Sequence, residues 1–463
     1  MRRGVLTDDV FGSQTTAIRD AVWGDVPVGE RELAIIDTPQ FQRLRHVQQL
    51  GFTSLTFPGA RHTRFEHSLG VYHLTRTALL HLLRQPNCPA LTSTDLLTVL
   101  AAALLHDVGH YPFSHAVEEL ELSTLRNHEQ ISQWIITESD VANVLRSCWD
   151  VDPPRVARLI RGEQSHERID GLLSNLLTGA LDTDKLDYLV RDARACNVPY
   201  GMIDVERLIQ ALRIWEDPTD GTVRLVVDEK GMGPMQSLVF AKYLMFANVY
   251  WHHTSRVATV MFLRAIHDAL EEGMVQPRDL EGSDDRLLLR LLHDRCPENS
   301  SSRRLVLALE RRRLFKRAVI LTDEDPMYAS LKLLKPFPMV RRDIELRWAA
   351  TMRRRTGRAL ADESILLDIP ESKRFGTAMD VSCTVPPRGH RNPVPWSVIS
   401  GLSENDMARY QRAVHRVRIV TVDEQLATEV AASQDVLLAE ARRMIKARGV
   451  DRAHPVVQTS LEL

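Results

Sequence analysis

The sequence predicts a mainly α-helical fold with one small β-hairpin and a mixed α+β C-terminal region, and three observations support this class. From Arg31 to Arg213, apolar residues recur at spacings of three and four, which is the period of an amphipathic helix. From Leu212 to Asp228, two β-branched runs flank the turn cluster Asp-Pro-Thr-Asp-Gly, which is typical of a hairpin. From Val417 to Val422, a further β-branched run predicts a strand.

The other elements follow in chain order. The stretch from Leu96 to Leu105 is apolar on every side, so we expect a helix that is buried all round at the centre of the core. After the hairpin, helical spacing resumes from Pro234 to about Gly273. A Ser/Asn-rich stretch from Asn299 to Arg303 predicts a linker, and the Pro-rich stretch from Val385 to Trp396 belongs to the mixed region.

Charge and cysteine content exclude several classes of protein. The chain has 59 Lys and Arg against 61 Asp and Glu, a formal charge of −2, which argues against a general nucleic-acid binder and requires any phosphate site to be local. The five cysteines form no CxxC pair, which argues against a disulfide framework or a thiolate zinc site. Because the longest apolar run is too short to span a bilayer and no signal peptide precedes it, we expect no membrane association and a cytoplasmic location.

Ionisable side chains follow the all-apolar helix directly, in the sequence His106-Asp107-Val108-Gly109-His110. Burial would raise the pKa of an unpaired carboxyl group and lower that of an imidazole, whereas a divalent cation stabilises an anionic Asp and a neutral His together. Gly109 and Pro112 interrupt the helix here, so residues 106 and 107 can converge on one ion. The pair is therefore a candidate for metal binding.

Two more segments can complete a ligand set. The segment from Arg64 to Gly70 places His67 near the head of an apolar helix, and the segment from Leu181 to Tyr188 has three carboxylates within six residues. A His/His/Asp/Asp set suits a divalent transition ion such as Fe, Mn, Co or Ni, with coordination positions left open for water and substrate oxygen. The lack of sulfur ligands argues against a structural zinc site.

The order of these residues resembles a known family. His67, His106-Asp107 and Asp184 reproduce the H…HD…D pattern of the HD-domain metal phosphohydrolases, and the wider motifs resemble the deoxynucleoside triphosphate triphosphohydrolases. These motifs lie at residues 36–45, 57–60, 64–71, 106–115 and 184–188. The resemblance implies an HD-domain helical bundle at residues 1–280 and a C-terminal α+β region at residues 281–463 with a role in regulation or oligomerisation.

The resemblance also implies a reaction. His67, His106, Asp107 and Asp184 would hold the transition metal, and Mg²⁺ would accompany the substrate triphosphate. A dNTP would be hydrolysed at the α-phosphorus to a deoxynucleoside and inorganic triphosphate. This is chemically consistent, because a bound cation activates water and offsets the charge on phosphoryl oxygens.

Catalytic and phosphate-binding residues carry over by the same resemblance. His115 matches the family's general acid, and Glu118 would orient it. His110 and His128 match active-site histidines that contact the phosphates. The cationic side chains that match phosphate contacts are those of Arg64, Lys185 and Lys242.

Sugar and base contacts are also implied. Gln49 and Leu50 match residues that pack against the deoxyribose, and Asp192 matches a partner of its 3′-hydroxyl group. Tyr188 would lie against the sugar and leave no room for a 2′-hydroxyl group, while Tyr250 would stack near the base. Stacking distinguishes bases poorly, so the base preference stays open.

A regulatory site is implied at Asp37, Gln42 and Arg45, which match positions where the animal enzyme of the family binds an activating guanine nucleotide between subunits. GTP or a dNTP would be the activator, and a shared site implies a homodimer or homotetramer. Arg19 stands where the animal enzyme has Asn, which departs from the family pattern. The alternative role of these residues is to cap and pair helices.

Two alternative functions stay open. The chain could be an HD-domain phosphatase or phosphodiesterase that acts on another nucleotide, which turnover of ribonucleotides would reveal. It could instead be a nucleotide sensor without hydrolytic activity, or a nucleic-acid-binding scaffold. Nucleotide binding without turnover would reveal the sensor.

Overall fold

The computed structural model describes residues 9–12, 15–163, 168–219, 221–370, 382–383 and 392–451. Helices dominate these residues and the strands are few and short, so the predicted mainly α-helical class is confirmed. Of the helices in this part of the chain, none combines the length and the apolar composition that a membrane-crossing segment needs.

An N-terminal hairpin, which the sequence analysis did not predict, precedes the helices. Strands β1 (Thr16–Asp20) and β2 (Gly24–Val28) pair antiparallel, with Thr16 opposite Val28 and Asp20 opposite Gly24. The Asp20 carboxylate accepts hydrogen bonds from the backbone N–H groups of Val22 and Trp23, both at 2.8 Å. Gly24 has a φ of +78°, a conformation that suits glycine in the turn. The hairpin places Asp20 and Trp23 beside the helical bundle.

Helices form the chain from residue 30 to residue 211. They are α1 (Glu30–Ile36), α2 (Pro39–Arg43), α3 (Arg64–Leu82), α4 (Ser93–Leu105), α5 (His115–Glu118), α6 (His128–Glu138), α7 (Asp140–Ser147), α8 (Pro153–Arg161), α9 (Arg168–Thr178), α10 (Thr183–Cys196) and α11 (Val205–Ala211).

Helix α4 is the predicted all-buried helix. The Thr92 hydroxyl oxygen accepts from the backbone N–H of Asp95, which caps its N-terminus. Every residue from Leu96 to Leu105 is buried, and the helix packs against α3 and α8. The helix ends at Leu105, directly before the His106-Asp107 pair, and His106 is its C-cap. His106 and Asp107 therefore lie where the chain turns. The burial of α4 therefore fixes the position of both residues.

The predicted hairpin between residues 212 and 228 is confirmed. Strands β3 (Leu212–Glu216) and β4 (Val223–Val227) pair antiparallel, and Leu212 lies opposite Val227. Helical structure then resumes in α12 (Met232–Met245), a π-helical turn (Phe246–Tyr250) and α13 (His253–Glu271). This agrees with the helical spacing of the sequence.

The rest of the chain is a mixed α+β region. Its strands β5 (Lys316–Leu321), β6 (Ile365–Asp368) and β9 (Val417–Thr421) form one antiparallel sheet with β9 in the centre. Two further short strands are β7 (Ser382–Cys383) and β8 (Val394–Pro395). The helices are α14 (Pro277–Glu281), α15 (Asp285–Arg295), α16 (Ser301–Glu310), α17 (Tyr328–Lys332), α18 (Pro338–Thr356), α19 (Trp396–Ser400), α20 (Glu404–Val414), α21 (Glu424–Ala432) and α22 (Gln434–Ala447).

The linker predicted from Asn299 to Arg303 was wrong. The hydroxyl oxygen of Ser300 accepts a hydrogen bond at 3.2 Å from the backbone N–H of Arg303 and caps helix α16. The same residue types that favour loops also favour the N-cap position of a helix. Within the Pro-rich stretch, residues 385–391 lie outside the described part of the chain.

Two apolar cores lie in the described residues. The first contains side chains from Val10 to Phe315 and includes Leu366 and Val420 from the C-terminal sheet. The second lies between Val319 and Val450 and includes Trp348. The division of the chain at residue 280 stays a prediction.

Candidate functional site

Four candidate metal ligands from three segments converge beside helix α4. His67 lies in the first turn of α3, His106 and Asp107 follow α4, and Asp184 lies in the first turn of α10. The Nε2 atom of His67 is 3.2 Å from His106 Nε2 and 3.0 Å from Asp184 Oδ1. It is also 3.5 Å from Asp107 Oδ2. The fold therefore brings all four predicted ligands to one point.

The hydrogen bonds of the two histidines point their Nε2 atoms at that point. The Nδ1 atom of His106 donates to the carbonyl oxygen of Ala103 at 2.9 Å, because a carbonyl can only accept. The Nδ1 atom of His67 is 2.7 Å from Asp187 Oδ2 and donates in the same way. In the neutral imidazole each Nε2 atom is then a bare acceptor, which is the state that binds a metal ion.

These donors fit a divalent transition ion. Two imidazole nitrogens and two carboxylates without sulfur suit Fe, Mn, Co or Ni. Burial lowers the pKa of His67, but hydrogen bonds to Asp184 and Asp187 outweigh burial and raise it to about 10. Burial raises the pKa of Asp107, but the charge of Arg64 holds it well below its usual range. The carboxylates around His67 thus favour a positive charge at this point, which a proton or a bound cation can supply.

Residues that the sequence analysis did not select support His67 from behind. Asp187, which holds the Nδ1 atom of His67, accepts from Trp23 Nε1 at 2.5 Å and from Arg191 Nε at 2.8 Å. Arg191 also donates to Asp20 Oδ2 at 2.8 Å. Asp187 lies three residues after Asp184, one turn along α10, and this spacing was the signal that could have identified it.

A second cluster of side chains lies next to the first. It contains His110, His115, Glu118 and His128, whose ligand atoms all lie within 4.8 Å of one another. The Glu118 carboxylate is 3.1 Å from His115 Nδ1 and 2.6 Å from His128 Nδ1. The His110 and His128 rings stack at 4.1 Å. The fold therefore also brings together the four predicted catalytic residues.

His110 connects the two clusters. Its Nε2 atom lies 3.1 Å from Asp107 Oδ1, and its ring centroid is 5.0 Å from that of His115. Burial lowers the pKa of His110 well below its usual range, so this imidazole is neutral. Burial also lowers the pKa of His128, but the bond to Glu118 outweighs it and raises the pKa, so His128 favours the charged form. The His115 side chain is 44% exposed, more than its neighbours in this cluster.

The three predicted phosphate contacts have different surroundings. Arg64 is buried, pairs with Asp107 and donates from Nε to Ser114 Oγ at 3.0 Å. Lys185 donates to the carbonyl oxygen of Gly179 at 3.0 Å and pairs with Asp182. Lys242 is buried on α12. Arg64 therefore lies directly at the four-donor cluster.

The predicted sugar contacts include a hydrogen-bonded group. Asp192 accepts from Tyr250 Oη at 2.7 Å, and its other oxygen is 2.7 Å from Nε2 of His62, a residue that the sequence analysis did not select. The backbone N–H of Gln49 donates to the carbonyl oxygen of His62 at 3.0 Å. The Gln49 Oε1 atom is buried without a hydrogen-bond partner in the described residues. Leu50 and Tyr188 are both partly buried against the apolar core.

The three predicted regulatory residues lie around helix α2: Asp37 precedes it, Gln42 lies within it and Arg45 follows it. Gln42 Nε2 donates to the carbonyl oxygen of Ile36 at 2.7 Å, and Arg45 Nε donates to Gln42 Oε1 at 2.8 Å. The Arg45 guanidinium lies 3.6 Å above the ring of Phe65. Asp37 is the C-cap of α1 and, like Arg45, is exposed.

Comparison with known proteins agrees with this geometry. A family model described as the HD domain matches residues 64–196, the segment that supplies all four donors and the second cluster. A second model, described as the HD associated region, matches residues 203–386.

Individual relatives are similar over about two thirds of this chain. "Uncharacterized protein MJ1154" of Methanocaldococcus jannaschii is 32% identical over 302 residues, 65% of this chain and 59% of the relative. "Deoxynucleoside triphosphate triphosphohydrolase SAMHD1" of Gallus gallus is 30% identical over 341 residues, 64% of this chain and 55% of the relative. The match thus spans little more than half the length of these curated relatives.

A solved structure is similar over a greater share of the chain. It is the crystal structure of a hypothetical protein from Aquifex aeolicus, with a TM-score of 0.64 and 26% identity over 90% of this chain and 99% of that one. The two family models match in the order HD domain and then HD associated region, and the relatives and the four-donor cluster agree with this assignment. The chain therefore belongs to the HD-domain proteins in which an HD-associated region follows the HD domain.

Proposed function

We propose that this protein is a metal-dependent hydrolase that converts dNTPs to a deoxynucleoside and inorganic triphosphate. One observation carries the proposal: His110 connects a four-donor cluster to a histidine–glutamate pair, with 3.1 Å from His110 Nε2 to Asp107 Oδ1 and 5.0 Å between the His110 and His115 rings. The cluster suits a cation, and the pair suits proton transfer to a leaving group. The similarity to an enzyme named as a dNTP triphosphohydrolase supports the choice of substrate.

The first group of residues would hold the ion. His67, His106, Asp107 and Asp184 are the proposed ligands, and Asp187 and the Ala103 carbonyl keep the proton on Nδ1 of each histidine. When bound, a divalent transition ion supplies Lewis acidity, which activates water and offsets negative charge on phosphoryl oxygens. Mg²⁺ is proposed to accompany the triphosphate.

The second group would protonate the leaving group. As water adds to the α-phosphorus, the bond to the 5′-oxygen breaks and its electron pair stays on that oxygen, which then takes a proton. Glu118 accepts from Nδ1 of His115, which stabilises the imidazolium and leaves the Nε2 proton to be donated. The partial exposure of His115 is consistent with access to a substrate.

Cationic side chains would hold the triphosphate. Arg64 lies at the metal cluster, and His128 favours its charged form because it contacts Glu118. Lys185 and Lys242 are the further proposed phosphate contacts, and Lys185 would have to exchange the Gly179 carbonyl oxygen for a phosphate oxygen. A multiply charged substrate supplies the charge-assisted hydrogen bonds that favour this exchange.

Selection of deoxyribose is proposed for a neighbouring group. Gln49 and Leu50 would pack against the sugar, and Asp192 would accept from the 3′-hydroxyl group. Tyr188 would exclude a 2′-hydroxyl group, and Tyr250 would lie near the base. The 2.7 Å hydrogen bond from Tyr250 Oη to Asp192 supports this placement, because it brings two of these side chains together.

A product assay tests the proposal. The apoprotein is reconstituted separately with Fe, Mn, Co or Ni, and then incubated with each dNTP and Mg²⁺ in ¹⁸O-labelled water. We expect a deoxynucleoside and a triphosphate that carries the label, because water attacks phosphorus and not carbon. The matched control is His106→Ala, which should give neither product.

The outcomes separate the alternatives. Orthophosphate or pyrophosphate as the first product would overturn the proposed reaction. Turnover of ribonucleotides at comparable rates would favour the HD phosphatase or phosphodiesterase alternative. Nucleotide binding without any product would favour the sensor.

Nucleotide activation and self-association are proposed as a further property. Asp37 and Arg45 are exposed, so an activating GTP or dNTP could contact them from a second subunit. We expect GTP to raise the rate of dNTP hydrolysis and to increase the mass measured by sedimentation. The control is Asp37→Asn, in which both responses should weaken.

A further inference from the structure

The proposed acid pair lies on a short helix with strained flanks. Helix α5 has only four residues, and three non-glycine residues beside it have positive φ angles: 56° for Phe113, 56° for Ser114 and 51° for Glu121. This conformation is unfavourable for residues that have a Cβ atom, and bulky residues such as phenylalanine rarely adopt it. The local sequence therefore does not favour the backbone conformation of residues 113–121. Contacts with other parts of the fold must stabilise it.

Contacts from α15 and α3 hold the start of the segment. The buried Asp285 carboxylate accepts from the backbone N–H of Phe113 at 2.7 Å and from that of Gln48 at 3.0 Å. Ser114 Oγ donates to the carbonyl oxygen of Gln48 at 2.8 Å and accepts from Arg64 Nε at 3.0 Å. Both residues with a φ of 56° are thus fixed before the helix begins.

A buried ion network holds the end of the segment. Glu119 is the C-cap of α5, and its backbone N–H donates to the carbonyl oxygen of His115 at 3.2 Å. Its carboxylate accepts two hydrogen bonds from Arg256 on α13, at 2.7 and 2.9 Å. The Glu119 and Arg256 side chains are only 12% and 5% exposed, so solvent does little to screen this pair.

The network continues into the C-terminal sheet. Arg256 Nη2 donates to Asp368 Oδ1 at 2.6 Å, and Arg418 Nη1 donates to Asp368 Oδ2 at 3.1 Å. Asp368 lies on β6 with a fully buried side chain, and Arg418 lies opposite it on β9. The charges of the two arginines balance those of the Glu119 and Asp368 carboxylates. Asp368 orients the guanidinium group of Arg256, which donates to Glu119.

We infer that the C-terminal sheet positions the proposed general acid, through a clamp made of Asp368, Arg256 and Glu119. The clamp fixes the residue that closes the helical turn, and this turn carries both His115 and Glu118. Arg256 and Asp368 are positioning residues, since they act through Glu119. The inference rests on the proposed function for its consequence in the reaction, whereas the clamp itself is a property of the fold.

The test uses Glu119→Gln and a control from the same loop. Gln keeps the shape of the side chain but removes the negative charge that pairs with Arg256. Glu121→Gln removes an equal charge, and Glu121 pairs with Lys335 of the C-terminal region at 3.7 Å with a 37% exposed side chain. Arg256→Ala is avoided because it would leave Asp368 buried with one fewer partner. Asp368→Asn provides a second variant on the far side of the clamp.

Hydrogen exchange measures the clamp without any substrate. We expect the amides of residues 113–121 to exchange roughly tenfold faster or more in Glu119→Gln and Asp368→Asn, while those of α3 and α4 keep their wild-type rates. Glu121→Gln should match the wild type. Unchanged exchange in Glu119→Gln would overturn the clamp.

A double-mutant cycle measures its role in the reaction. With His115 present, Glu119→Gln should lower kcat roughly tenfold with KM and metal content unchanged, because a misplaced acid loses part of its rate advantage. In a His115→Gln background the same change should have little further effect. Equal losses in both backgrounds would overturn the positioning role. If the wild type released no triphosphate, the proposed function would fail, and hydrogen exchange would still decide the clamp.

Discussion

Gly70 on helix α3 leaves the space that the carboxylate of Asp187 occupies. A Cβ atom built on Gly70 would overlap Asp187 Oδ1 and would stand 2.5 Å from Arg191 Nη2. Asp187 in turn lies 2.7 Å from Nδ1 of His67, three residues before Gly70 on the same helix. The close approach of α3 and α10 therefore places a carboxylate behind a proposed metal ligand.

Gly70→Ala should destabilise the protein. The added methyl group must displace a buried ion pair, and overpacking of this kind costs about 1–3 kcal/mol of unfolding free energy. Urea unfolding of the apoprotein measures the change. The matched control is Gly171→Ala on α9, where nothing lies within 4 Å of the added Cβ and helix propensity should raise stability by up to about 1 kcal/mol. Equal responses of the two variants would contradict the packing argument.

Asp187→Asn should weaken metal binding. Loss of the carboxylate charge weakens the hydrogen bond that fixes the tautomer of His67, and such supporting partners change metal affinity by about 10- to 100-fold. Calorimetric titration of the apoprotein with Mn²⁺ or Co²⁺ measures the dissociation constant. Asp25→Asn is the control, since Asp25 pairs with exposed Arg19 in the N-terminal hairpin and is itself 66% exposed. An unchanged dissociation constant in Asp187→Asn would refute this role.

Substitutions in the two clusters should separate metal binding from proton transfer. His106→Ala removes an Nε2 donor, so we expect both metal content and turnover to be lost. His115→Gln should keep the metal and bind dNTP, but lower kcat about 10²- to 10⁴-fold, the usual contribution of a general acid. Elemental analysis and single-turnover kinetics distinguish the two results. Wild-type activity in His115→Gln would remove it from the mechanism.

Asp285 should give the protein a measurable dependence of stability on pH. Burial raises the pKa of this carboxyl group from its ordinary value of 3.8 to about 6, although the N–H groups of Phe113 and Gln48 oppose the shift. Because this pKa is raised, the stability that protonated Asp285 contributes to the folded state is fully present below pH 3.8. That stability is lost as pH rises through about 6.

Urea unfolding of Asp285→Asn against the wild type isolates this effect. Asn can still accept from the backbone but does not titrate, so the wild type should lose roughly 3 kcal/mol relative to the variant as pH rises from 4 to 7. A difference that does not change with pH would show that Asp285 titrates normally.

The fold class could be predicted from the sequence because its signals are local. The unbroken apolar run of α4 and the turn cluster between β3 and β4 each lie within a few residues, and both predictions are confirmed. The four proposed metal ligands were selected from short motifs that resemble those of a known family. The N-terminal hairpin was missed because the residues between its strands, Ala21, Val22 and Trp23, form no turn cluster like the one between β3 and β4.

Local signals by themselves therefore determined the helical class, the buried helix and the types of donor available for a cation. The tertiary structure alone decided what supports those donors, because the contacts join residues far apart in the chain: Trp23 and Asp187 are separated by 164 positions, and Glu119 and Arg256 by 137. No periodic pattern encodes such pairs, since they form only when the N-terminal hairpin packs beside the helical bundle and α5 packs on α13. Burial then strengthens the electrostatic interactions within these pairs, because solvent no longer screens them.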